Sequence, residues 1–361
     1  MSKPLSNRHL PARITLFLVL LLLMSTLLFE QTPNQTSPTT VYAAKEVTAP
    51  PAPPTPTEPP MPTPTSTPDP AATPTPRAPG TAFRVGLQAG HLRSNELPEE
   101  LAHLRTSSGS HWGNLSEAAL NLDIITRVKP LLEAQGVVVD VLPATVPTSY
   151  DADLFLALHA DGVASGSAHG WKLATPWRAS AASKLFLATM SAAYGPATGL
   201  TEDAGGVTFN MKGYYAFNFH RYISAIARTT PAIILEMGFL TSATDRAVLV
   251  NQPDRVARGI ADGILAYLQQ RNPADGGALL PPEYPVLRTA AQGATLRAAP
   301  RDNARVLAQL SADTRLMPFD LQDGYYQVFV HTSKSRTVGW VREDEVNVTD
   351  EQPDFPTPVS Q

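Results

Sequence analysis

The chain contains no cysteine, which excludes disulfides, thiolate metal sites and cysteine nucleophiles together. Any metal must be held by His, Asp or Glu. A lipid anchor attached through an N-terminal cysteine is excluded on the same ground. No basic tract or stripe is present and the net charge is −4, so no nucleic-acid partner is expected. Hydrophobic residues make up 43% of the 361 residues, enough for a sizeable core and more than one domain. Proline is the abundant residue, with 35 copies, and its uneven placement divides the chain.

Residues 1–30 read as an export signal or a membrane anchor. Lys3, Arg8 and Arg13 precede an apolar run from Ile14 to Phe29. That run is shorter than the ~20 residues that span a bilayer comfortably. Val41-Tyr42-Ala43-Ala44 offers small residues for cleavage but lies well beyond the run, so both outcomes stay open. Residues 31–81 carry repeats such as PTPTEPPMPTPTSTPDP and form a Pro/Thr-rich disordered linker, extended and semi-rigid. It is either a stalk through a wall layer or a plain spacer.

Residues 82–272 alternate strands and helices, which predicts an α/β domain. Its mainly parallel sheet is expected to carry helices on both faces. Phe83–Leu87 is a short strand. Leu120, Ile124, Val128, Leu131 and Leu132 share one face of a helix over Glu117–Gln135. Asn114 or Ser116 caps it, Gly136 stops it, and Pro130 is expected to bend it. Strands follow at Val137–Leu142, Leu154–Leu158 and Ala232–Leu235, with helices at 180–194 and Asp254–Gln270. A linker over 273–283 leads to 284–348, where short β-rich runs without a helical period predict a small barrel. Residues 349–361 are a polar tail.

Sites in an open parallel sheet form beyond the carboxyl ends of strands. His91 follows such a strand, and His159 directly follows Leu154–Leu158. Glu117 opens the first long helix, where a carboxylate also suits the helix dipole without any metal. Asn121, one turn on, is expected to support Glu117. Glu236 closes the apolar run Ile233-Ile234-Leu235, a costly place for a carboxylate unless it is paired or functional. His111, His169 and His220 end no apolar strand and read as surface or substrate-lining residues. Residues 199–220, with Tyr214-Tyr215, Phe217 and Phe219, either shape a groove or form a packed loop.

Four segments together resemble the zinc-dependent N-acetylmuramoyl-L-alanine amidases of the type 3 family. They are Gln88-Ala89-Gly90-His91, Glu117 with Asn121-Leu122, Ala157-Leu158-His159-Ala160-Asp161, and Leu235-Glu236-Met237-Gly238-Phe239-Leu240. They stand in the family's order over about 82–270. The resemblance implies Zn2+ held by His91, Glu117 and His159, with Glu236 as the catalytic acid/base. It also implies hydrolysis of the bond between N-acetylmuramic acid and L-alanine in peptidoglycan. Gln88 and Ala89 depart from the family's Asp-Pro. Residues 288–348, with Leu296-Arg297-Ala298-Ala299-Pro300, Asp323 to Val328 and Gly339-Trp340-Val341, resemble bacterial SH3-like domains. That implies attachment to the cell wall; a membrane contact is expected only through an uncleaved N-terminal segment. The expected location is outside the cytoplasm: extracellular, in the wall or in the periplasm. A zinc peptidase acting on the stem peptide, and a non-catalytic wall-binding protein, remain as alternative readings.

Overall fold

A computed structural model describes residues 80–164, 167–272, 276–331 and 336–351. The expected export signal, nearly all of the Pro/Thr-rich linker, and most of the tail lie outside them. Among the described residues no helix is long and apolar enough to cross a membrane.

The elements run β1 (Arg84–Ala89), β2 (His111–Trp112), β3 (Leu115–Ser116), α1 (Glu117–Glu133), β4 (Val138–Leu142), β5 (Leu154–Asp161), β6 (Lys172–Ala174), α2 (Ala181–Thr198), α3 (Phe209–Lys212), β7 (Ala232–Phe239), α4 (Ala243–Leu249) and α5 (Pro253–Gln270). Five strands form one sheet in the order β4-β1-β5-β7-β6. The first four are mutually parallel, and β6 pairs with β7 antiparallel at the edge. Ser116 caps α1 by accepting from the Ala119 amide. The helix continues through Pro130, which faces water, so the carbonyl it leaves without a donor can be hydrated. It ends before Gly136, whose φ is 77°.

Strand pleating sends alternate residues to opposite faces. Val85, Leu87, Leu154, Leu156, Leu158, Ile233 and Leu235 point to one face and join a single apolar cluster with α1, α2 and α5. Phe155, Ala157, Ala232 and Ile234 point to the other, where Met211, Ala216, Phe217 and Ile226 cover them. Long helices therefore cover one face rather than both. The segment over the second face lacks a helical apolar period and folds as the short α3 and 3-10 turns. The strands also run past their expected ends: β5 reaches Asp161 through a register shift after His159, and β7 reaches Phe239. His159 and Glu236 consequently lie within strands, not after them.

The C-terminal region is all β: β8 (Leu287–Thr289), β9 (Ala294–Arg297), β10 (Val306–Leu310), β11 (Arg315–Gln322), β12 (Tyr325–His331), β13 (Arg336–Arg342) and β14 (Val346–Val348). They form an antiparallel sheet in the order β10-β9-β13-β12-β11-β8-β14. Leu287, Leu296, Leu316, Val328 and Val341 are its core. This region packs against the α/β part. Trp177 stacks on Phe319 at 4.7 Å between ring centroids, and Phe209 lies 4.9 Å from Phe329. Pro318 sits at a bulge in β11, and its carbonyl accepts from Arg178 Nε and Nη2 at 3.2 and 2.9 Å.

Candidate metal centre and cleft

The chain leaves β1 through Gly90, whose amide donates to the Leu158 carbonyl at 2.9 Å. A Cβ on Gly90 would stand 2.3 Å from His159 Cε1, so only glycine leaves room for that ring. His91 follows with φ 62°, a left-handed conformation uncommon for a residue with a side chain. Its Nδ1 lies 2.9 Å from the Ser107 carbonyl, which can only accept, so the proton sits on Nδ1. Nε2 is left facing Glu117 Oε1 at 3.5 Å.

Glu117 begins α1 and is 4% exposed. Its Oε2 accepts from the Ser110 amide at 2.7 Å, and its Oε1 accepts from the Ala160 amide at 3.2 Å. His159 Nδ1 lies 2.9 Å from the same Oε1. Ligand atoms of His91, Glu117 and His159 thus lie within 4.8 Å of one another. Burial works to raise the Glu117 carboxyl, but the hydrogen bond and charge of His159, the charge of His91 and the Ser110 amide outweigh it and lower its pKa to about 2. Asn121 does not reach Glu117; its Nδ2 donates to the Gly90 carbonyl at 3.2 Å and steadies the turn before His91.

Glu236 stands on β7 in direct register with His159 on β5 and Lys172 on β6. The pleat puts all three on the face without long helices. Burial pushes the Glu236 carboxyl up to about 8, against the charges of His159 and Lys172, with Asp161 and Glu117 adding to the rise. Lys172 is 4% exposed, and its ammonium lies 2.5 Å from Asp161 and 3.5 Å from Asp203. Burial opposes that charge, yet Asp161, Glu236 and Asp203 hold its pKa above the usual lysine value. A cleft of about 1020 Å³ opens over the site, lined by His91, His159, Glu236 and Tyr214. Its far end is lined by Trp177 and by Met317, Phe319 and Phe329 of the all-β region.

His111 is exposed on the β2–β3 ribbon and His169 is exposed near Ser167; neither joins the cluster. His220 lines the cleft beside Arg178 and Glu283, away from the three clustered side chains. Sequence reasoning passed over Gly109, Lys172 and the part played by Gln88. A Cβ on Gly109, at φ +74°, would meet Glu117 Oε2 at 2.6 Å and His91 Cδ2 at 2.7 Å. Gln88 did carry a signal: it is a wholly buried amide in an otherwise apolar strand, and such a group needs partners.

A family profile described as N-acetylmuramoyl-L-alanine amidase matches residues 86–266, half of the chain. The chain is 28% identical over 179 residues to N-acetylmuramoyl-L-alanine amidase LytC of Bacillus subtilis (strain 168), covering 46% of this chain and 34% of that protein. It thus spans about a third of that relative's length. Among solved structures it is similar to the catalytic domain of CwlV, an N-acetylmuramoyl-L-alanine amidase from Bacillus (Paenibacillus) polymyxa var. colistinus. That likeness has a TM-score of 0.36 at 23% identity and covers 52% of this chain and 99% of the other. It is also similar to an N-acetylmuramoyl-L-alanine amidase from Clostridium difficile 630, with a TM-score of 0.39 at 21% identity, over 53% and 99% of the two chains.

Proposed function

Since the chain belongs to the N-acetylmuramoyl-L-alanine amidase family, we propose that it hydrolyses the amide between N-acetylmuramic acid and L-alanine in peptidoglycan, with Zn2+ held by His91, Glu117 and His159. The observation that carries this reading is the convergence of those three side chains, within 4.8 Å, beside Glu236 in an open cleft. The donor set fits the ion. Two imidazoles and one carboxylate suit zinc and leave a position for substrate or water. His91 turns Nε2 to the cluster because its Nδ1 donates to a carbonyl, so Nε2 is the nitrogen free to bind a metal.

When bound, zinc supplies Lewis acidity to the scissile carbonyl and the attacking water. Glu236 takes the proton that the water gives up and delivers it to the departing alanine nitrogen. Burial, which favours its protonated form in the metal-free protein, suits a carboxyl that must hold a proton between the two halves of that exchange. Lys172 holds Asp161 and Asp203 beside Glu236, so the segment around Asp203 stays joined to the floor of the site. The openness of the cleft suits an extended polymer. The all-β region would attach the enzyme to the wall as an SH3-like module, and the N-terminal segment would export it or anchor it to a membrane.

Mass spectrometry of digested peptidoglycan tests the reaction. Release of intact stem peptides with a free alanine amine is the expected result. Shortened peptides still attached to muramic acid would instead support a peptidase, and no cleavage at all a wall-binding protein.

A further inference from the structure

We propose that Gln88 and Tyr214 are positioning residues whose hydrogen-bonded chain fixes the ring and tautomer of His159, so that Nδ1 rather than Nε2 faces the metal. The inference rests on the metal reading above and concerns residues outside the ligand set.

The chain has a direction that each donor and acceptor settles in turn. Gln88 is 0% exposed. Its amide nitrogen donates to the Ala144 carbonyl at 2.9 Å and to the Tyr215 hydroxyl at 3.0 Å. A carbonyl cannot donate, so the Ala144 contact fixes which end of the Gln88 amide is nitrogen. Gln88 Oε1 therefore faces the Tyr214 hydroxyl, which donates to it at 3.0 Å. With its single proton given to Gln88, the Tyr214 oxygen is left to accept. His159 Nε2 lies 3.1 Å away, so Nε2 carries the hydrogen. Nδ1 is the nitrogen turned to Glu117 Oε1, 2.9 Å away, and with Nε2 held by Tyr214 it is the one that gives up its proton to take a metal.

Packing holds the same arrangement. The rings of Tyr214 and His159 meet edge to face at 5.3 Å, and Tyr214 rests on Tyr215 at 4.5 Å. The Phe217 amide donates to the Tyr214 carbonyl at 3.0 Å and locks the turn that presents the ring. His91 has a backbone carbonyl to settle its tautomer; among the described residues His159 has this chain on its second nitrogen. Partners of this kind typically alter metal affinity by about 10–100-fold.

The test uses the full chain and three variants: Tyr214→Phe, Gln88→Met, and both together. Zinc dissociation constants are measured by competition with a chromophoric chelator, alongside thermal unfolding of the metal-free proteins. Tyr214→Phe should weaken zinc binding about 10–100-fold. Gln88→Met should weaken it by less, since the hydroxyl remains. The double variant should bind no worse than Tyr214→Phe alone, because both changes break one chain. A merely structural role would lower the melting midpoint and leave zinc affinity in place, which overturns the inference, as would additive losses. A wild-type protein that binds no zinc would remove the metal reading itself, and this inference with it.

Discussion

The two faces of the five-stranded sheet are built differently, and the difference locates the chemistry. On one face Leu87, Leu156 and Leu235 meet α1, α2 and α5 in a closed apolar cluster. On the other, Gln88, His159 and Glu236 stand on the same strands, one residue out of phase, with Lys172 beside them on β6, under a cover of short turns and aromatic rings. The period of two lets one strand serve both demands. Long helices seal a surface by regular apolar packing; an irregular segment can leave a cleft and bring a hydroxyl such as that of Tyr214 to a chosen atom. Stability should follow the first face and turnover the second.

The sharpest way to break that division is Glu236→Gln. It should lower kcat about 10²–10⁴-fold, the usual contribution of a general base, while the protein keeps its zinc and its fold. Wild-type turnover in this variant would remove Glu236 from the mechanism. On the opposite face Leu156, 0% exposed, should behave in reverse. Leu156→Ala should cost about 2–5 kcal/mol of stability, read by denaturant unfolding, with zinc affinity unchanged below the melt. A large fall in zinc affinity would show that the two faces are not independent.

A smaller effect comes from pH. Burial raises Glu236 from 4.5 to about 8 in the metal-free protein. Between those values the folded chain holds a proton that the unfolded chain has released. The stabilisation is complete below the unfolded value and is lost as pH rises through the folded one. Glu236→Gln has no such proton to lose, so its melting temperature should gain on the wild type from about pH 5 to about pH 8. Parallel curves over that range would mean that the carboxyl titrates normally.

Most of the scaffold was legible because its signals are local. The apolar stripe of α1, the Pro253 start of α5 and the runs that became β1, β5 and β7 can each be read within a few residues. His91, Glu117, His159 and Glu236 stood out through their order along the chain and their places beside strands and at a helix head. Tyr214 and Lys172 are different. Tyr214 reaches Gln88 across 126 positions, and Lys172 reaches Asp203 across 31, so no window of sequence contains either contact. The same limit explains the strand ends: β5 continues past His159 because β7 pairs with it there, through a bulge that no propensity announces. β11 likewise runs through Pro318, which a bulge accommodates.

The seam at Trp177 and Phe319 packs the α/β part and the all-β region against each other within one compact unit. If the all-β region grips the wall, as proposed, the enzyme gains little from the free search that a loose linker allows. It gains a fixed reach instead. Each grip would present the cleft at one distance and one angle, so the bonds cut would fall at a set offset from the anchoring point, and the protein would work as a ruler along the polymer.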